Sequence, residues 1–321
     1  MTDTVIVPSR TEWESVSTDP LTTLASANDT DGTEARADAS LSTSRVGSRL
    51  GWTLVYLRTR PGLIVSVLWL ALLVLAALVP TLFTSTDPLT TVGVVRQAPS
   101  PAHIFGTDQI GRDLFTRVVY GAQLSLQAAA IAVSVGLLVG TIVGLLAGYL
   151  GGWVDAVLMR VIDVLLSIPG LLLALAFVVA LGFGTINVAI AVGLTSIATN
   201  ARVLRAEVLK VKHSVFVEAA RAGGARPLRV LLSHVLPNSI TPLLTLLALD
   251  FSGAILAISS LSFLGYGAQP PAPEWGSLVA GGRDFLASAW WLTTAPGLVI
   301  VLTVLAGNRL SRAFTGEGTI R

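Results

Sequence analysis

Gly136-Leu-Leu-Val-Gly140-Thr-Ile-Val-Gly144-Leu-Leu-Ala-Gly148 lies within a run, Val118–Val154, that contains no aspartate, glutamate, lysine, arginine or histidine. About 20 apolar residues suffice for a helix to cross a bilayer core. The run therefore predicts a membrane-spanning helix, placed over 124–147. Glycine at every fourth position puts all four on one helix face. With no side chains there, a second helix can approach closely. The stripe predicts either tight packing inside a bundle or a surface along which a partner helix slides.

Working outward, five more stretches are long and apolar enough to span: 63–83, free of charge; 157–181, with Arg160 and Asp163 in its first turns; 186–204, with Arg202 near its end; 238–263, which includes Asp250; and 290–308. The chain of 321 residues is 53% hydrophobic and only 12% charged, which excludes an ordinary soluble domain. The expected fold class is all-α, a polytopic membrane protein of six transmembrane helices. With no cysteine, disulfides and thiolate metal sites are excluded. Residues 1–46 are rich in Ser, Thr, Asp and Ala without apolar periodicity, which predicts a disordered tail ahead of a membrane domain over 47–321. That tail lacks the pattern of a cleaved signal peptide. The first span is thus expected to act as its own insertion signal.

Lysine and arginine set the orientation. With the N-terminus inside, only Arg96, Arg112, Arg117 and Arg283 fall in outer segments, leaving 17 of the 21 basic residues inside. Both termini are therefore expected in the cytoplasm. The basic residues sit beside spans, so they suit a membrane surface and not nucleic acid. Two outer segments, 84–123 and 265–289, are long for simple turns. In the first, 113–120 reads as an amphipathic helix lying at the interface. In the second, Pro270, Pro271 and Pro273 forbid a continuous helix, and Trp275 and Trp290 suit the interfacial belt.

Catalytic chemistry finds no support. His103, His213 and His234 lie in loops or near span ends, at no metal-ligand spacing, and no serine–histidine pair falls at membrane depth. The only lysines, Lys210 and Lys212, belong to no phosphate-binding loop. No catalytic or metal-binding residue is nominated, and ATP cannot be held by that route. Asp250 is the one ionisable residue well inside a predicted span, and its cost in lipid makes it face protein or water. Arg160 and Asp163, three apart, are expected to pair on one helix face.

Between the fourth and fifth spans lies Glu218-Ala219-Ala220-Arg221-Ala222-Gly223-Gly224, with Leu236-Pro237 beyond it. Ser214 is positioned to cap a short helix over about 214–224, and Glu218 suits its positive end. Val215, Phe216, Ala219 and Ala220 form an apolar stripe. Gly223-Gly224 permits a left-handed stop, and Pro227 suits the first position of a following helix. A short amphipathic helix between two breaks reads as a lever docking in a partner's groove, or as a helix lying on the inner leaflet.

These residues resemble the EAA loop of binding-protein-dependent ABC importer permeases: Glu218, Ala219, Ala220, then Gly224, then Leu236 and Pro237. The chain is more specifically similar to the C-type permease of dipeptide and oligopeptide importers. Further matches are Gly106-Thr107-Asp108-Gln109-x-Gly111-Arg112-Asp113, Gly148-Tyr149-x-Gly151-Gly152-Trp153-x-Asp155, Leu261-Ser262-Phe263-Leu264-Gly265 and Trp275-Gly276-Ser277. The likeness covers about 47–315. It implies a type I ABC importer permease fold in a bacterial cell membrane. It implies as partners a second homologous permease, two ATPase subunits binding ATP and Mg, an extracytoplasmic substrate-binding lipoprotein and membrane lipid, with no nucleic acid. Glu218, Ala219, Ala220, Arg221, Gly224, Leu236 and Pro237 would couple to an ATPase. Asp250, Ser259 and Ser262 are candidates for the translocation path, and Asp108, Arg112, Asp113 and Trp275 for binding-protein docking. Short peptides are the expected cargo; nickel chelates, haem or another small solute, or a self-sufficient secondary carrier, are the alternatives. The sequence departs from the family's pattern at Gln123, His234, Ile258 and in the tail after Asn308.

Overall fold

The computed structural model describes residues 61–314, so the expected tail over 1–46 lies outside the described residues. The ordered elements are α1 (Pro61–Leu78), α2 (Leu114–Leu150), α3 (Gly152–Ser167), α4 (Gly170–Leu181), α5 (Thr185–Lys212), α6 (Val215–Ala222), α7 (Pro227–Val230), a π-helical turn (Leu231–Val235), α8 (Leu236–Ser239), α9 (Thr241–Phe263), α10 (Trp275–Gly282) and α11 (Trp291–Phe314). No multi-residue strand occurs among the described residues. Among the described residues five helices are each long and apolar enough to span a membrane, or six if the bent pair of α3 and α4 counts as one span. On α1 the burial pattern is inverted relative to a soluble helix. Leu68, Leu72 and Leu75 face outward, while Ser66 and Ala76 point into the bundle.

The glycine stripe is a packing seam. A Cβ at Gly136 would lie 2.8 Å from Ser196 Cβ, one at Gly140 2.7 Å from Asn200 Cβ, and one at Gly144 2.5 Å from the Ala201 carbonyl. Gly193 on α5 returns the contact, with its Cβ position 2.7 Å from the Ala132 carbonyl. The two backbones meet where neither carries bulk. In lipid such close packing replaces the hydrophobic drive that holds soluble helices together.

Two expectations are corrected. The span over 157–181 is not one helix: α3 and α4 meet at a bend of 100°. Pro169 disfavours helical backbone in the residue before it, and Ile168 is extended at φ −95°, ψ 132°. Residues 113–120 do not form a separate interfacial helix. Asp113 caps the N-terminus of α2, its carboxylate accepting from the Thr116 amide at 2.8 Å. Nothing in Tyr120–Gln123 interrupts the helix that follows. At 37 residues α2 is about 55 Å long at ~1.5 Å per residue, well beyond a hydrocarbon core of about 30 Å. Its surplus first turns are buried beneath residues 84–113 and 270–275.

The end of the bundle carrying 79–113 and 264–290 is capped by chain folded back on itself. Asp108, 2% exposed, accepts from the amides of Ile110 and Arg112 at 2.9 Å each and from Arg112 Nε at 2.6 Å. Gly111 sits at φ +84°, where a Cβ would fall 2.5 Å from the Gly93 carbonyl, so only glycine closes this loop. Across the cap, Trp275 is fully buried and its indole N–H donates to the Val118 carbonyl at 2.9 Å.

Glu274, also fully buried, caps α10 by accepting from the Gly276 and Ser277 amides at 3.0 and 2.9 Å. Ser125 Oγ on α2 donates to the same carboxylate at 3.3 Å. Glu274→Ala leaves these donors buried and unpaired, a loss of about 1–3 kcal/mol. It is expected to lower the thermal denaturation midpoint of the detergent-purified chain; an unchanged midpoint would show the cap to be dispensable.

Candidate functional site

The opposite end of the bundle carries the lever. In α6, Val217 is buried against α5 and the chain beyond Pro227, while Glu218, Ala219 and Arg221 are exposed. Ser214 stands at the N-cap, but its hydroxyl donates backwards to the Val211 carbonyl at 2.6 Å and makes no cap bond. The expected side-chain cap is therefore corrected: the serine closes the turn that ends α5. The C-terminal stop is as expected. Gly224 has φ +79°, its N–H donates to the Arg221 carbonyl at 3.0 Å, and the Ala225 N–H donates to the Ala220 carbonyl at 3.1 Å. This is the paired closure that satisfies the last free carbonyls of a helix.

Pro227 then opens α7 at the expected position. The π turn follows, with the Leu236 amide bonded to Leu231 O, five residues back. Pro237 supplies the cause, since its ring clashes with a carbonyl four residues earlier and it lacks an N–H. Leu236 is half-buried and Pro237 exposed. Between the lever and this widened turn lies a cavity of about 670 Å³ lined by Gly224, Ala225, Arg226, Leu228, Arg229, Leu232 and Ser233. Val215 is 82% exposed beside it in sequence, and Phe216, Leu228 and Leu232 are exposed too. Apolar side chains standing out of a charged loop mark a docking surface more than a solvated one.

Tyr149, at the end of α2, connects the lever to the bundle. Its hydroxyl donates to the Pro227 carbonyl at 2.8 Å. The Lys212 ammonium and the Arg221 guanidinium each lie 5.9 Å from its ring centroid, and Lys212 Nζ donates to the Tyr149 carbonyl at 2.7 Å. Nearby, Arg205 of α5 binds Asp155 of α3 in a two-pronged pair, with Nη2 to Oδ2 at 2.6 Å. The expected Arg160–Asp163 pair is replaced by Asp163 with Arg202 at 2.6 Å. A partner on a facing helix displaces the same-helix neighbour that spacing alone suggests. Sequence reading did not single out Tyr149 or the Asp155–Arg205 pair for these roles. Tyr149 and Asp155 do stand in the matched stretch Gly148-Tyr149-x-Gly151-Gly152-Trp153-x-Asp155, but nothing in it points to Pro227 or Arg205 as their partners.

The residues expected along the translocation path divide. Asp250 lines a cavity of about 500 Å³ among α4, α5, α9 and α11. Ser259 and Ser262 do not share it. They are buried under α10, where a Cβ at Gly276 would lie 2.5 Å from the Ser259 carbonyl and 2.8 Å from Ser262 Cβ. Asn200 of α5, 2% exposed, interacts with the Asp250 carboxylate from the side of the glycine seam. Ser252 of the same helix and Thr195, Ser196 and Asn308 complete the polar lining. The last three lie on two other helices, so no spacing rule along one span could have grouped them.

At the capped end, Asp108, Arg112 and Trp275 are buried and Asp113 is half-buried, pairing with His103 at 2.9 Å. They hold the shape of the cap from beneath, while Ile104, Ile110 and Val94 stand exposed on it. No cluster of histidine, aspartate and glutamate suited to a metal occurs among the described residues.

Residues 140–316 match the family described as "Binding-protein-dependent transport system inner membrane component". The chain is 41% identical over 238 residues to the dipeptide transport system permease protein DppC of Alkalihalophilus pseudofirmus, covering 74% of this chain and 78% of that one. It is 44% identical to the glutathione transport system permease protein GsiD of Escherichia coli O6:K15:H31 over 216 residues, 67% of this chain and 71% of the relative. In fold it is similar to an inward-facing methionine ABC transporter, MetNI, with a TM-score of 0.51 at 18% identity over 62% of this chain and 96% of that chain.

Proposed function

Because this chain belongs to the family of binding-protein-dependent transport system inner membrane components, a multi-pass permease of the ABC importer class, we propose that it forms half of a translocation path for short peptides. The relatives named for dipeptide and glutathione transport support that cargo. The other half is a second homologous permease. Two ATPase subunits bind ATP and Mg²⁺ and drive the cycle, and an extracytoplasmic lipoprotein delivers the peptide; this chain binds no cofactor itself. The lever end and both termini face the cytoplasm, in keeping with the distribution of lysine and arginine. The membrane domain runs over 47–321.

The observation that carries this reading is the lever: a stopped, partly apolar helix exposed at one end, with Glu218, Ala219, Arg221 and Gly224 on its free side and Ala220 half-buried against the bundle. It seats in a cleft of one ATPase. When the ATPases close on ATP, the lever moves as a unit, and Leu236 and Pro237 at the widened turn let α9 follow. Asp250 lines the path. Asp108, Arg112, Asp113 and Trp275 support the capped surface on which the loaded lipoprotein docks.

Co-purification from native membranes through a tag on this chain tests the assembly. Recovery of a second six-span permease, ATPase subunits and a lipoprotein is expected, and the ligand held by the lipoprotein identifies the cargo. Recovery of this chain alone, or only with itself, would overturn the reading. Tyr149 supplies a finer test. Tyr149→Phe keeps the ring between Lys212 and Arg221 but loses the bond to Pro227, worth about 1 kcal/mol. In the reconstituted complex the ratio of peptide uptake to ATP hydrolysis is expected to fall about fivefold, the equivalent of that energy. An unchanged ratio would remove Tyr149 from the coupling route.

A further inference from the structure

The cavity around Asp250 has an unusual balance of hydrogen-bonding groups. Three of its hydroxyls spend their protons on the helices that carry them. Thr195 Oγ1 donates to the Val192 carbonyl at 2.7 Å, Ser196 Oγ to the same carbonyl at 3.3 Å, and Ser252 Oγ to the Ala248 carbonyl at 2.8 Å. A hydroxyl whose proton is engaged offers only lone pairs to a further partner. The carboxylate of Asp250 is likewise an acceptor only. No lysine, arginine or histidine lines the cavity. None forms an ion pair with Asp250 among the described residues. Among the lining residues only Asn308 carries a side-chain amide, and Asn200 beside the cavity interacts with Asp250.

A carboxylate within a membrane span is costly unless a partner offsets it. This one is placed in a space of about 500 Å³, inside the roughly 300–1,000 Å³ range of small-molecule sites. Leu171, Val192, Leu256 and Val304 give the rest of the wall an apolar surface. An ammonium group carries three donors and no acceptor, the complement of this lining. We propose that Asp250 is a transit site for the primary ammonium group of the cargo, with Thr195, Ser196 and Ser252 accepting its remaining protons and the apolar wall accommodating a peptide side chain. The inference deepens the peptide-importer reading and rests on it. It places recognition of a free amino terminus in the membrane chain, in addition to any made by the delivery protein.

The test uses the complete complex, purified through a tag on this chain and reconstituted in vesicles with ATP inside. Uptake of Ala-Ala is compared with uptake of N-acetyl-Ala-Ala, which lacks the ammonium charge, in wild type, Asp250→Asn and Asp250→Glu. Discrimination by the delivery protein is common to all three, so each variant's ratio to wild type isolates the contribution of this chain. Asp250→Asn is expected to reduce Ala-Ala uptake by at least about tenfold, the scale of a lost hydrogen bond to a charged group. Asp250→Glu should retain most of it, and any uptake of the acetylated peptide should be unchanged by either substitution. Equal loss in the Asn and Glu variants would assign Asp250 a packing role and overturn the proposal. So would Asn uptake equal to wild type, or a parallel loss for both peptides. A wild-type complex that takes up neither peptide removes the peptide reading and this inference with it; normal wild-type uptake with an inert Asp250→Asn removes the inference alone.

Discussion

Gly224→Pro is expected to abolish ATP-driven uptake while leaving the chain in the membrane. Gly224 sits at φ +79°, with open space where a Cβ would project. Steric crowding is therefore not the issue; backbone conformation is. Proline holds φ near about −65° and has no N–H. The substitution reverses the turn that stops α6 and deletes the bond from Gly224 to the Arg221 carbonyl. The lever then joins the segment beyond it at a different angle, and Glu218 no longer faces the same way. Uptake is expected to fall more than about tenfold, the effect of misplacing a coupled element by more than 1.4 kcal/mol, while ATP hydrolysis persists. Gly224→Asn, which tolerates the left-handed region better than other side chains, should retain most transport. Measuring uptake and hydrolysis side by side in the reconstituted complex decides it. Normal uptake by the proline variant would end the lever account.

Gly144→Leu is expected to prevent the bundle from forming. A Cβ there lies 2.5 Å from the Ala201 carbonyl and 3.0 Å from Leu204 Cβ. The first contact is backbone within α5, so no rotamer change relieves it. Overpacking of this kind costs about 1–3 kcal/mol and sometimes more. Here the shift must also separate the contacts made at Gly140 and Gly148 along the same seam. The yield of monodisperse, detergent-extracted chain is expected to drop severalfold or vanish. Gly297→Ala on α11, where nothing lies within 4 Å of the added Cβ, is the matched control and should behave as wild type. Wild-type yield from Gly144→Leu would mean that α2 and α5 do not pack as closely as the seam implies. It would also revive the sliding alternative for the stripe.

Much of this molecule was legible in one dimension because the controlling physics is local. An apolar run long enough to cross a bilayer reports itself, and so does glycine at every fourth position. The lever could be delimited because Gly223-Gly224 and Pro227 are backbone instructions that need no distant partner. Pro169 was equally local, yet the apolar run on both sides of it concealed the bend. A span read by hydropathy alone is blind to the backbone at residue 168. The helical reading of 113–120 was correct in type and wrong in setting, since only the folded cap shows that α2 continues through it.

What the sequence by itself determined, then, is the membrane class, the approximate spans, the glycine face and the stopped lever. Each follows from propensity or polarity within one or two helical turns. The tertiary structure alone decided which charges meet. It gave Asp163 to Arg202 and Asp155 to Arg205, and it enclosed Glu274 beneath the cap. It also separated Asp250 from Ser259 and Ser262 and placed beside it two hydroxyls of α5 and one of its own helix whose protons are already engaged. Those outcomes depend on which faces of distant helices are pressed together, and on which donors the backbone has already claimed. Both are properties of the packed bundle, because in lipid a polar group must be satisfied by whatever protein surrounds it.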